Sequence, residues 1–269
     1  MSMISPIVEQ FPPSMVLFGE ALVKPAMQVY KAMSSLFPAT ATKFHYQFNL
    51  RDVVSLIHGL CHATMRNTPT NLDLSRLFLH ELWRVFGDKL ADAADLKVFD
   101  DLLRKQSRRG VLDDINQDKL HAQPNIYMPM AVANRERGET SSVSTSGNAS
   151  NQQHMYRSVT SFEQLRQILQ DALQSHNETN AAMNLVLFND AMAHVVRISR
   201  MLLSPRGHGL LVGVGGNGKQ SLAKLAAYIA GFESCSITLR PNYGLSDFKV
   251  LVLHWYVAAI PSLFLFSFV

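Results

Sequence analysis

Gly213-Val214-Gly215-Gly216-Asn217-Gly218-Lys219 has the residue types and spacing to cradle a phosphate group. It fits the pattern G-x-x-x-x-G-K, with Gln220 where Ser or Thr is usual and Ser221 one place further on. Glycines let backbone N–H groups come close to phosphate oxygens, and a helix that follows adds partial positive charge. Lys219 would reach the terminal phosphates. The side chain of Gln220 carries a carbonyl oxygen that could approach a Mg²⁺ ion directly or through water, with altered geometry. Residues Gly213, Val214, Gly215, Gly216, Asn217, Gly218, Lys219, Gln220 and Ser221 are therefore the candidate site for ATP or ADP, with Mg²⁺ as a possible companion. A chance glycine turn ahead of a helix is the alternative.

The flanking elements must position such a loop. His208-Gly209-Leu210-Leu211-Val212 reads as a short buried strand entering it, and Ser221 to Ala230 as a helix leaving it. Upstream, residues 15 to 37 carry an apolar stripe of Leu22, Ala26, Tyr30, Met33 and Phe37, kinked or restarted at Pro25 and ended by Pro38. A second helix opens at Phe48-Asn49-Leu50-Arg51-Asp52, with Val53, Leu56, Ile57 and Leu60 facing inward. A third spans about Asn71 to Leu90 with Leu74, Phe78, Leu82 and Phe86 at four-residue steps, and a fourth about Leu96 to Lys105. A helix from a capping box at Thr160/Glu163 or Ser161/Gln164 runs to about Gln174, and another covers about Asn184 to Leu203. Cys235 to Leu239 reads as a second strand and Asn242-Tyr243-Gly244 as a turn. Alternating strands and helices in this half imply a parallel α/β sheet.

Composition narrows the classes. With 269 residues and 47% hydrophobic content the chain can bury one large or two modest cores. The net charge is +4 and the densest basic run, Arg104-Lys105-Gln106-Ser107-Arg108-Arg109, lacks interleaved aromatics, so it reads as a solvated helix end and not as a nucleic-acid surface. Two isolated cysteines, Cys61 and Cys235, argue for a reducing compartment, and no Cys or His spacing suits a metal. No secretory signal is visible at Met1-Ser2-Met3-Ile4-Ser5-Pro6. Glu139 to Gln153 is polar and of low complexity, which places a mobile insertion within 111–158, between a helical part at 1–110 and an α/β part at 159–269. The uncharged stretch Val250 to Val269 is long enough to span a bilayer, but the reading preferred over a membrane span is a buried helix, Phe248 to Ala259, then a buried strand, Leu263-Phe264-Leu265-Phe266.

Two separated segments resemble the dynein heavy chains, most closely the axonemal ones. Phe188 to Arg200, Ser204-Pro205-Arg206-Gly207 and Leu210 to Leu222 look like the start of the fourth AAA+ module of that family, in which Gln-Ser after the loop lysine is the usual form. Residues 44 to 52 and His80 to Leu90 look like the helical lid that ends the third module. The resemblance implies a helical AAA+ lid followed by the beginning of a P-loop AAA+ parallel α/β module. It implies a dynein-type ATPase, the other AAA+ modules of a ring as neighbours, and microtubules and intermediate or light chains as partners of the full-length motor. It implies a place in the cytoplasm and cytoskeleton, at the axoneme of a cilium or flagellum. Arg51 would be the lid arginine that contacts nucleotide held by the third module; a helix-start cap or ion pair is its alternative role.

The sequence departs from the family after Lys249, where the apolar strand should end in an acid that orients Mg²⁺ and water. That position falls near Phe268, and Val250 to Val269 holds no carboxylate. A piece or shortened form of a heavy chain that binds nucleotide without turning it over is therefore expected, with no catalytic residue assigned. The alternative is a non-catalytic interaction or structural protein with a vestigial loop.

Overall fold

The computed structural model describes residues 11–64, 68–130, 155–159, 161–204, 207, 209–237, 244–250 and 264–268. The chain forms two compact units, Met1–Tyr127 and Met128–Val269.

The first unit is helical. Helix α1 (Pro13–Ala21) is followed after a single residue, Leu22, by α2 (Val23–Leu36). The restart at Val23 places Pro25 in the first turn of α2, where its missing N–H leaves no hydrogen bond unmade. Leu22, Ala26, Val29, Met33 and Phe37 are buried, so Val29 takes the core position expected of Tyr30. Helix α3 (Leu50–Leu60) starts with reciprocal caps: the Asn49 side chain accepts from the Arg51 N–H at 2.9 Å, and the Asp52 carboxylate accepts from the Asn49 N–H at 2.9 Å. Asp52 also holds Lys89 Nζ at 2.7 Å, and Lys89 lies over the Phe48 ring at 5.4 Å. One carboxylate thus fixes both a helix start and the chain that follows the next helix.

Helix α4 (Asn71–Val85) is the spine of this unit. Thr70 and Asp73 cap it reciprocally, and Leu74, Phe78 and Leu82 are buried along it, with Phe86 just beyond. Its Glu81 is fully buried and accepts from Arg84 Nε at 2.5 Å, while Arg84 Nη2 donates to the Ser55 carbonyl of α3 at 3.0 Å. A β-carbon at Gly59 would collide with the Glu81 carboxylate. Glycine at 59 is what leaves room for the Glu81 side chain between α3 and α4. A second polar knot ties the loop before α3 to the start of α5 (Ala93–Ser107). Lys43 Nζ contacts Asp92 at 2.6 Å and Asp95 at 2.5 Å, and the Tyr46 hydroxyl donates to Asp95 at 2.7 Å. Lys43 and the Tyr46 hydroxyl hold the Asp95 carboxyl below its ordinary range.

Residues 111–127 correct the expected insertion. They are packed: a 3₁₀ turn at Gly110–Leu112 and α6 (Gln117–Leu120) bury Leu112 and Leu120, and Tyr127 is buried beyond them. The segment lacks periodicity because side chains satisfy its carbonyls. Gln117 Nε2 donates to the carbonyls of Ser107, Leu112 and Ile115 at 2.9–3.1 Å, and Arg76 donates to those of Lys119 at 2.6 Å and Pro124 at 3.2 Å. Burial raises the Tyr127 phenol to about 12. The low-complexity stretch, Glu139 to Gln153, lies outside the described residues.

The second unit begins with strand β1 (Ile126–Met130), which crosses into it and pairs with β2 (Met155–Val159); neither strand was foreseen in a segment read as insertion. Helix α7 (Phe162–Thr179) is capped by Ser161, whose Oγ accepts from the Gln164 N–H at 3.1 Å. Helix α8 (Asn189–Leu203) starts five residues later than the sequence pattern suggests, with Phe188 as its N-cap. Helix α9 (Lys219–Ile229) leads to β3 (Glu233–Ile237), which pairs in parallel with β4 (Phe264–Phe268) in the register Cys235 opposite Phe266. The foreseen parallel pairing is therefore present, and residues 245–250 are helical between the two strands. The turn at Asn242-Tyr243 and the rest of the foreseen helix, 251–259, lie outside the described residues. Among the described residues no helix is long and apolar enough to cross a membrane.

The strand expected at His208 to Val212 is not formed. Residues 209–212 belong to neither sheet, and Leu210 and Val212 are 88% and 85% exposed. Apolar character makes a segment suited to a strand, but a strand exists only where another strand completes its ladder. No described strand stands beside this one.

Two predictions follow from this packing. Overpacking of a closed core costs about 1–3 kcal/mol, more than the roughly 1 kcal/mol alanine gains over glycine in a helix. Gly59→Ala should therefore lower the urea midpoint of the chain; an unchanged midpoint would mean that Glu81 swings aside freely. Asp95 titrates below its unfolded value of 3.8, so its contribution is complete above that value and fades as pH falls through the folded one. Thermal melts from about pH 6 down to pH 3 should fall less steeply in Asp95→Asn than in the parent chain.

Candidate phosphate-binding site

The loop takes its shape from two left-handed glycines. Gly216 has φ 81° and Gly218 φ 70°, a region that costs a residue with a side chain about 1–2 kcal/mol. Gly218 is the N-cap of α9, and no side chain caps that helix. The first turn of α9 carries no acidic residue, so nothing on the helix itself competes with an anion for its N–H groups. Lys219 turns back over the loop: its Nζ donates to the carbonyls of Gly213 at 2.8 Å and Val214 at 2.7 Å. The Asn217 N–H points to the Val214 carbonyl at 3.4 Å. A β-carbon at Gly213 would stand 3.5 Å from Lys219 Cδ, so the lysine stem passes directly over that glycine.

These contacts bring Gly213, Val214, Asn217, Gly218 and Lys219 into one ring of backbone. Gly215, Gly216 and Asn217 are exposed on it, as is Gln220, while Ser221 is half-buried at the start of the helix. The lysine ammonium and the helix N-terminus act together. Both favour negative charge, and the glycines leave the backbone open to it. Arg51, in the other unit, is exposed, and only its backbone N–H takes part in the α3 cap. Cys61 is a half-buried free thiol whose pKa is pushed up by burial.

Sequence reasoning missed the segment just before α8. Asn177 Nδ2 donates to the Met183 carbonyl at 3.1 Å and its Oδ1 accepts from the Met183 N–H at 2.8 Å, closing the turn after α7. Leu185 follows, and its Cδ1 is 4.0 Å from where a Gly218 β-carbon would lie. Val186, Leu187 and Phe188 line an open groove with Gln170, Gln174 and Asn177 of α7. Leu185 also lines this groove, which therefore lies beside the glycine loop, and its α7 wall carries Arg166 and Glu178 along with the amides. The clue in the sequence was the run Leu185-Val186-Leu187-Phe188, absorbed there into a helix that in fact begins after it.

Known proteins carry the same two-part arrangement. Residues 22–122 match the family of the AAA+ lid domain, and residues 183–262 match the P-loop containing dynein motor region D4. The chain is 42% identical over 250 residues to dynein axonemal heavy chain 17 of Homo sapiens, which covers 91% of this chain and 5% of that protein. It is 40% identical over 229 residues to the ciliary dynein beta chain of Tripneustes gratilla, covering 85% and 5%. It is 37% identical over 235 residues to the flagellar outer arm dynein beta chain of Chlamydomonas reinhardtii, covering 87% and 5%. The chain thus spans about one twentieth of the length of these relatives.

Gly218→Ala should impose left-handed strain of about 1–2 kcal/mol at the start of α9. Hydrogen exchange of amides 222–225, the first that are bonded within α9, should speed up in that variant while amides of α7 stay unchanged. Equal exchange at 222–225 in both proteins would contradict the strained geometry.

Proposed function

Because this chain joins an AAA+ lid to a dynein motor region and is homologous over about nine tenths of its length to axonemal dynein heavy chains, we propose that its own chemistry is the binding of ATP or ADP at residues 213–221. The convergence of Lys219 with two left-handed glycines at an uncapped helix start carries this reading. Phosphate oxygens would take the loop N–H groups, and the Lys219 ammonium would leave its own carbonyls to pair with them. Gln220 and Ser221 stand where a Mg²⁺ bound to those phosphates would be approached. The base would lie toward Val186 and Phe188, where an apolar wall meets the amides of α7.

Binding without turnover is the form of this activity that the residues support. Phosphoryl transfer needs a carboxylate that orients the metal and water, and the stretch from Val250 to Val269 contains none. In this reading the chain corresponds to the junction of the third and fourth modules of a dynein ring. The motor's partners are then the other AAA+ modules, microtubules and the intermediate and light chains, and its place is the axoneme of a cilium or flagellum. Arg51 would meet nucleotide held by the preceding module.

A ligand that binds only the folded state raises the melting temperature with its concentration. ATP and ADP should each do so for the parent chain, and Lys219→Ala should lose that response while keeping its ligand-free melting temperature. Absence of any nucleotide-dependent shift in the parent would favour a vestigial loop in an interaction protein. Phosphate release from ATP by the pure chain would overturn binding without turnover.

A further inference from the structure

Lys219 ties the two limbs of the loop together at Gly213 and Val214, but the rest of the loop is mostly exposed, so contacts beyond it must hold the limbs at their bases. The exit limb is fixed through α8. Ser199 is fully buried, and its Oγ lies 2.9 Å from the Val195 carbonyl and 3.3 Å from the Ala226 carbonyl of α9. The entry limb is nearly bare: Leu210, Val212 and Val214 are 88%, 85% and 75% exposed. One side chain stands against its beginning. A β-carbon at Gly209 would run into the Met201 thioether, and the three heavy atoms nearest that point all belong to Met201. A β-carbon at Gly207 would likewise run into the Met201 carbonyl. The Gly207 N–H donates to the Ser204 carbonyl at 2.8 Å, so the chain doubles back over the last turn of α8.

We propose that Met201 is a positioning residue for the phosphate loop: its thioether holds the entry limb at Gly209 on the same helix that holds the exit limb through Ser199. The inference rests on the nucleotide-binding reading above. Helix α8 is then the rigid bar across which the loop is stretched, and its last two turns set how closely the loop amides converge. A thioether suits this task because its unbranched, polarisable chain can lie flat on bare glycine backbone. Nothing in this role requires Met201 to touch the ligand.

The test uses the full chain with mant-ADP as probe and hydrogen exchange of amides 209–218 as an independent readout. Residues that touch no ligand usually alter affinity by a few-fold to about 20-fold. Met201→Ala should weaken mant-ADP binding by about 5- to 20-fold and speed exchange at 209–218, with the ligand-free melting temperature close to that of the parent. Met201→Leu, which keeps most of the reach, should restore both readouts. Should Met201→Ala fail to fold, Met201→Val shortens the side chain more gently and is held to the same two readouts. Parent-like affinity and exchange in the shortened variants would overturn the proposal. If the parent itself does not bind mant-ADP, the nucleotide reading falls. The clamp is then judged on exchange alone: acceleration in the shortened variants supports it and parent-like exchange overturns it.

Discussion

A loop made of glycines has no side chains with which to hold its own shape, and that constraint governs the second unit of this molecule. The geometry has to be imposed from the flanks. Helix α9 supplies one flank by burying Ala223, Leu225, Ala226, Ala227 and Ile229, which leaves its first turn free to present N–H groups. The alanines matter because a small surface lets α9 lie close to α8, and Ser199 can then reach the Ala226 carbonyl. Lysine supplies the internal tie. With its ammonium on the Gly213 and Val214 carbonyls, the ring of backbone is drawn together by the lysine itself.

The first unit solves the opposite problem. It has no glycine loop to support, and its helices are locked by ionic and capping contacts placed at their ends. Asp52 closes the α3 cap and holds Lys89; Asp73 closes the α4 cap; Asp95 gathers Lys43 and Tyr46. Each carboxylate serves a local helix start or knot, and two of them also join chain segments far apart in sequence. The Glu81–Arg84 pair is of another kind. Glu81 is fully buried, and a buried ion pair adds little net stability over a well-packed apolar pair, while losing one partner is costly. Its link to α3 is made by Arg84, which donates to the Ser55 carbonyl, and by the space that Gly59 leaves for the carboxylate.

How far the sequence could be read depended on whether the responsible signal was local. The stripes Leu22–Met33 and Leu74–Phe86 are local patterns, and the helices they mark are present with those residues buried, save Tyr30, whose place Val29 takes. The glycines at 216 and 218 are likewise local, and each takes the left-handed φ that their lack of a side chain permits. The parallel pairing of β3 with β4 could be anticipated from continuous apolar runs separated by a helix. Residues 111–127 could not be read, because Arg76 and Gln117 make the hydrogen bonds that order them and one of these lies some forty residues away. The segment 209–212 failed in the other direction. Its residues are those of a strand, yet pairing is a property of two segments and not of one. The groove beside the loop was hidden by the same logic, since Val186 and Phe188 become neighbours of Gln170 only after Asn177 has turned the chain.

Binding and turnover depend on different parts of a phosphate-binding module, and the proposed reading assigns this chain only the first. Holding a phosphate needs donors: N–H groups at a helix start and an ammonium, all within nine consecutive residues here. Cleaving one needs an acceptor as well, a carboxylate set at the end of a neighbouring strand to orient metal and water. Strand β4 lies parallel beside β3, and its sequence is Phe264-Leu265-Phe266-Ser267-Phe268, without a carboxylate. It contributes no negative charge. Near the loop, the Lys219 ammonium and the start of α9 both favour negative charge, which is the feature that the proposed binding draws on.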